Sequence, residues 1–380
     1  MPPQIGKKPP INSPLSWPTA AAAFSIMADG APPLRCSMLK DSDKRKSPVL
    51  KDELAALEPS IEEAKRAKEE EEKRMQQYAK HLELQDGILD FDPKQEGQYY
   101  TRLSSVDLTI FDLDEESPLG PMRFTNVVYK DQGDYKLCEA INIFSVKISC
   151  SDVGFPVHVY GTVIARDSLD KKCIYLFRRD QDHCQIINSE DESLVLTGPK
   201  RGLALISNDY IETDLKIKDD QGKVREFSKG ILTIRGIARR SLKQCKVESE
   251  SLATRLSTVD VMYGFLIKAV EGTIGIEVIQ GDFDGRITAY TTSIPNELVL
   301  YDRELYGAMT GDDNGVIQLM RPVVCVSFSK DMLVIVAKTR DGKSERTIRF
   351  TPMVNSAEDG EIRVGAIEMR VIVTWSIMDF

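Results

Sequence analysis

From residue 101 to residue 380 the apolar side chains recur at every second position, and no long helical pattern interrupts them. A period of two belongs to a strand, whose side chains point alternately to opposite faces. Near the C-terminus Ile367, Met369, Val371, Val373, Trp375 and Ile377 share one face, while Glu368, Arg370, Thr374 and Ser376 share the other. Val157, Val159, Gly161 and Val163 alternate with His158, Tyr160 and Thr162. Thr213, Leu215 and Ile217 alternate with Glu212, Asp214, Lys216 and Lys218. Strands of this kind face a core on one side and water on the other, as antiparallel sheets do. Turn signals separate them at Asp219-Asp220-Gln221-Gly222, Asp284-Gly285, Asn314-Gly315 and Asp341-Gly342. Val323 to Phe328 and Met332 to Ala337 are spaced as a hairpin across Ser329-Lys330-Asp331. Many short strands without crossover helices predict a mostly β protein, an antiparallel sandwich or barrel-like domain over residues 101–380.

Ahead of this domain the composition changes. Residues 1–48 hold Pro2, Pro3, Pro9, Pro10, Pro14, Pro18, Pro32 and Pro33 and little apolar surface, which predicts a disordered tail. Residues 50–86 read as a charged helix. Leu50, Leu54, Leu57 and Ile61 recur at helical spacing, and Glu62/Arg66, Glu69/Lys73 and Glu70/Arg74 are acid-first pairs four residues apart. The apolar stripe fails at Lys68 and Glu71, so a solvated spacer or a weak coiled coil is expected.

The net charge of −9 gives no global attraction to phosphate backbones. The seven cysteines are widely spaced with no C-x-x-C, as buried thiols of a reducing compartment would be. No window approaches the length of a membrane-crossing helix. The mildly apolar stretch Ala20 to Ala28, ended by Asp29, leaves a targeting segment within residues 1–30 an open alternative to a cytoplasmic location, as Lys44-Arg45-Lys46 does for a nuclear one.

Chemistry-bearing patterns are few. There is no nucleophile elbow, P-loop or dinucleotide fingerprint. Only His81, His158 and His183 could serve as imidazole bases, and the neighbours His183 and Cys184 point to opposite strand faces, so they cannot pair directly. Asp167 with Asp170, Asp180 with Asp182, and Asp282 with Asp284 could gather as calcium loops at one end of a sandwich, although Asp is also an ordinary turn residue. Tyr175, Phe177, Arg178 and Arg179, with Lys200-Arg201 and Arg239-Arg240, form the strongest basic and aromatic patch for single-stranded nucleic acid.

Six stretches carry a family resemblance: Phe144 to Ile148, Val157 to Asp170, Tyr175 to Arg179, Asp182 to Gln185, Leu194 to Gly202 and Val373 to Ser376. The G-x-V-x-A-R-D-x-L-D run and the L-T-G-P run are the most specific. Over residues 121–380 the chain resembles an uncharacterised domain of unknown function expanded in grasses. In some members that domain is joined to a ribosome-inactivating, rRNA N-glycosylase domain. The resemblance implies a β-rich plant protein and supplies no catalytic residue. Glu63-Ala64-Lys65-Arg66 superficially matches the toxin motif but lies in the charged helix.

Read physically, the family motif is structural. Arg166, Asp167 and Asp170 form a strand-end turn, Gly198 and Pro199 close another strand, and Trp375 fills a core face. A buried Arg–Asp pair is expected, drawn from Arg166 or Arg178 with Asp167 or Asp182. The expectation is a non-enzymatic β interaction domain with an unidentified protein partner and no cofactor, metal, nucleic acid or membrane. The alternatives are an accessory module acting with ribosome-inactivating proteins in defence, and a calcium- or RNA-binding sandwich.

Overall fold

Apolar alternation becomes a fold only when each strand finds a partner edge and a facing sheet. The structure, a computed structural model, describes residues 49–219, 221–306, 315–329 and 331–379, with side chains from residue 62 onward. The expected tail at 1–48 lies outside the described residues. The chain divides into two units, residues 1–69 and 70–380. The first contributes the start of helix α1 (Val49–Asp86). From Glu62 to Lys80 every side chain of that helix is exposed. No helix among the described residues is long and apolar enough to cross a membrane.

Within the second unit the end of α1 is tied down by polar bonds. Gln85 Nε2 donates to Ser104 O at 3.1 Å, and His81 Nδ1 accepts from Leu108 N–H at 3.2 Å. A small hairpin follows, β1 (Leu89–Asp92) with β2 (Gly97–Tyr100). The strands β3 (Cys138–Ser151), β4 (Val157–Arg166), β5 (Ile174–Arg179), β6 (Gln185–Ile187) and β7 (Leu203–Ala204) come next. Then come β8 (Asn208–Lys218), β9 (Val224–Arg235), β10 (Lys246–Thr254) and β11 (Ser257–Gln280). The C-terminal part has β12 (Gly285–Thr291), β13 (Ile294–Asp302), the short helix α2 (Arg303–Tyr306) and β14 (Val323–Ser327). It ends with β15 (Leu333–Thr339), β16 (Glu345–Phe350), β17 (Ala357–Val364) and β18 (Ile367–Ser376).

Strand β11 organises the whole. Its 24 residues would extend about 80 Å at the usual rise, far longer than an ordinary strand. The first half pairs with β10 and β3, the second with β14 and β18, all antiparallel. At the join the register slips between Leu266 and Ala269, and Lys268 takes φ 46°, a left-handed conformation that strains a residue with a Cβ. Two smaller sheets cover the two halves. One runs β5-β4-β8-β9 with β6 on β4, the other β13-β12-β15-β16. The first encloses a core in which Val159, Val163, Ile211, Leu215 and Phe227 meet Ile143, Val146, Val259 and Val261. The second encloses Ile287, Leu300 and Ile335 against Ile274, Val326, Val371, Val373 and Trp375. The result is two antiparallel sandwiches in line on one long shared sheet, with no closed barrel.

Two expectations from the sequence change here. Val323 to Phe328 and Met332 to Ala337 do not form a hairpin. β14 bonds to β11 in the shared sheet, and β15 lies between β12 and β16 in the covering sheet. Both runs are apolar on two faces, the pattern of interior strands, so they suit neighbours other than each other. The crossover is held by Asp331, whose carboxylate accepts from Thr292 Oγ1, Ser293 N–H and Ser293 Oγ. The cysteines are also less uniformly buried than expected. Cys138, Cys173 and Cys325 are core thiols, but Cys150 is exposed and Cys184 and Cys245 are half-buried. The Asp219 to Gly222 turn does close the β8–β9 hairpin, with Gly222 at φ 77° where a side chain would be strained.

Candidate functional site

The family motif assembles a buried charge cluster, and none of the four Arg–Asp pairings expected from sequence forms. Arg166 is 0% exposed and pairs instead with Glu212, two cross-strand positions away on β8. Nε donates to Oε1 at 2.7 Å and Nη2 to Oε2 at 2.9 Å, a bidentate fork, and the remaining donors reach Lys171 O and Leu113 O. Asp167 is bound by Arg201, with Nη1 to Oδ2 at 2.5 Å and Nη2 to Oδ1 at 3.0 Å. Asp170 accepts from Ser117 Oγ at 2.6 Å and lies 3.4 Å from Arg201. These charges face one another, with Arg201 Nε left as a donor without a partner. Glu212 was hidden in the polar half of an alternating strand, and Arg201 in a dipeptide that read as surface charge.

The other sequence candidates separate. Arg178 is exposed and lies 4.6 Å over the Tyr175 ring. A bulge between β4 and β5 brings residues 175 and 178 together, while Phe177 turns fully into the core. Asp182 is exposed, and its N–H donates to Asp180. Gly198 precedes Pro199 and passes so close to Tyr175 that a Cβ would meet its carbonyl oxygen at 1.9 Å. Trp375 is buried over Gly272.

The nucleic-acid patch is partly drawn into contacts within the chain, while Arg178 and Lys200 remain exposed. Tyr175 is covered by Arg178, Arg201 is buried, Lys200 pairs with Glu116, and Arg239 pairs with Glu248. The acidic loops are likewise engaged, Asp180 by His183 at 2.8 Å and Asp282 and Asp284 by Arg303. Among the described residues no three His, Cys, Asp or Glu gather to hold a metal. One cross-strand pair escaped the sequence. Cys184 Sγ lies 3.7 Å from His158 Nδ1, while the His183 ring turns to Asp180.

One of the buried polar atoms without a partner, Arg321 Nε, belongs to a side chain that lines a cleft of about 850 Å³ between the two sandwiches. One wall is Phe144 and Ser145 of β3, Arg179 at the end of β5, and residues 184–186 and 192–196. The other is Arg286 of β12, Val299 of β13, Glu304 and Leu305 of α2, and Met320 and Arg321 just before β14. Its size falls in the range of sites for small organic molecules. Ile186 and Leu305 on its lining are each 49% exposed. Arg321 is 5% exposed, and Nη2 donates to Ile143 O. Nε has no partner, and no carboxylate pairs with the guanidinium among the described residues. Burial alone pulls its pKa down to about 10, so it remains cationic at neutral pH.

The model of the family described as "Domain of unknown function (DUF6598)" matches residues 140–373, a span that includes both walls of the cleft. No curated protein matches the chain. Among solved structures the chain is similar to the paired C2 domains of Extended-Synaptotagmin 2, at 8% identity and TM-score 0.22, over 66% of this chain and 97% of that one. It is also similar to human GIVD cytosolic phospholipase A2 in complex with methyl gamma-linolenyl fluorophosphonate. That likeness has 9% identity and TM-score 0.20, over 64% of this chain and 33% of that one. Since the family model spans more than half of the sequence, the chain belongs to the family described as domain of unknown function DUF6598.

Proposed function

We propose that this chain is a non-enzymatic binding module whose interaction surface is the cleft between the two sandwiches. The observation that carries the reading is Arg321. A guanidinium removed from water is costly unless a partner returns what it lost, and elsewhere in the fold buried arginines have such partners. The exposed apolar side chains of Ile186 and Leu305 beside it add the mixed lining typical of a recognition site. Catalysis is the weaker reading. The Cys184–His158 pair is open to solvent, and no third group orients the imidazole among the described residues.

The test immobilises the full chain and a Val299→Trp variant, in which an indole fills the cleft from a half-buried strand position. Both are exposed to extracts of the cells that express the protein, and retained components are rebound after purification. A component held by the wild type and lost by Val299→Trp supports the reading. Equal retention places the surface elsewhere. Conversion of a retained component into product contradicts a non-enzymatic role.

A further inference from the structure

We propose that the cleft takes a small organic anion, a carboxylate or phosphate head on an apolar body, and that Arg321 holds the head. The inference rests on the cleft being the binding surface.

Three arginines are nearly or fully buried among the described residues, and they differ in one respect. Arg166 forks onto Glu212 and Arg201 onto Asp167. Among the described residues Arg321 has the neutral carbonyl of Ile143 on Nη2 and no carboxylate, and its Nε, like that of Arg201, has no partner. An arginine carries five N–H donors in a planar fork suited to carboxylate or phosphate, so most of this fork is open. A buried cation without a counter-charge is expensive for the empty protein, and an anion that supplies the counter-charge recovers that loss on binding.

The remaining charges of the cleft favour the same sign. Arg179 on the opposite wall donates only to His183 O at 3.3 Å, and Arg286 stands 3.7 Å from Asp302. Of the two lining acids, Glu304 pairs with Arg340 at 3.1 Å and Glu192 accepts from the neutral Asn188 amide at 3.0 Å and keeps its charge, so three arginines stand against two carboxylates. The lining also carries apolar side chains, among them Phe144, Leu196 and Met320. A free inorganic anion would leave that lining wet. A molecule with an apolar body covers it and brings its head to the guanidinium. The depth of Arg321, at 5% exposure, favours a small ligand over the side chains of a docked protein surface.

The experiment titrates the full chain calorimetrically with octanoate, octyl phosphate and 1-octanol, in wild type, Arg321→Gln, Arg179→Gln and Val299→Trp. The proposal expects one site for at least one of the two anions. It expects 1-octanol to bind at least about tenfold more weakly, and Val299→Trp to abolish binding. Arg321→Gln should weaken the anion about tenfold or more and leave 1-octanol unchanged, a tenfold change being about 1.4 kcal/mol. Which of the two anions binds more tightly identifies the head group. If Arg321→Gln fails to fold, Arg179→Gln at the half-buried opposite wall decides, with a severalfold loss expected for the anion alone. Octanol binding as tightly as octanoate, with neither arginine mattering, overturns the anion while the cleft reading stands. Binding untouched by Val299→Trp, or no binding by any of the three, overturns both.

Discussion

Replacing Glu212 by Gln should strip the charge from a deeply buried ion pair and leave its arginine stranded. The carboxylate accepts from Arg166 Nε and Nη2 at 2.7 and 2.9 Å, from Leu103 N–H at 2.8 Å, and from Arg102 Nε at 3.4 Å. Glutamine keeps the volume and one acceptor oxygen, so the Leu103 bond can survive, but the bidentate fork loses its second oxygen and the negative charge. Arg166 is 0% exposed and cannot turn to water. Breaking a buried pair by removing one partner costs about 3–5 kcal/mol. For a domain of this size each kcal/mol moves Tm by roughly 2–4 °C, so a fall of about 6–20 °C is expected. Urea unfolding of wild type and Glu212→Gln, followed by circular dichroism, measures it. The double variant Arg166→Met/Glu212→Leu removes both charges together and should lie within about 1–2 kcal/mol of wild type, because the pair's net contribution is small once desolvation is counted. A loss below about 1 kcal/mol in Glu212→Gln would refute the reasoning. It would mean that water reaches Arg166 or that another acid takes over.

Trp375→Ala should lose about 3–5 kcal/mol, since the indole is fully buried between β18 and Gly272; chemical denaturation reads it directly. Asp209 is pushed well above the usual carboxylate range by burial, with Asp167 beside it adding to the rise. The folded state therefore keeps a proton that the unfolded chain releases near pH 4, and stability from this group falls as pH rises above that point. Asp209→Asn should be more stable than wild type at pH 7 and similar to it at pH 3.5, in parallel urea titrations. Deleting residues 1–69 should leave the near-ultraviolet spectrum and Tm of the β region essentially unchanged, because the helix from Glu62 to Lys80 is exposed throughout.

Much of the β architecture was written in local pattern, and the cleft was not. β18 was legible because five apolar residues alternate along it, continued by Ile377, and pack on one side. In β5 a bulge puts Tyr175 and Arg178 on one face, and a bulge leaves little mark in sequence. β14 and β15 misled because spacing alone proposes a hairpin, whereas partner choice is decided by the long β11 edge some fifty residues earlier in the chain. Glu212 looked like one more solvent-facing acid, since period-two reasoning assigns a face but cannot see a cation arriving from β4. Arg321 was the least legible of all. In sequence it is a lone arginine before Pro322, at the head of an apolar run. Its guanidinium meets the carbonyl of Ile143, 178 residues away in the chain.

The most direct test of the binding account is amide hydrogen exchange on the full chain, with and without saturating octanoate or octyl phosphate. The account predicts slowed exchange in peptides covering residues 184–196 and in those ending at Arg321, with the β1–β2 hairpin and the β8–β9 turn unchanged. Slowing confined to other surfaces, or no change at the cleft while ligand is bound, would contradict it.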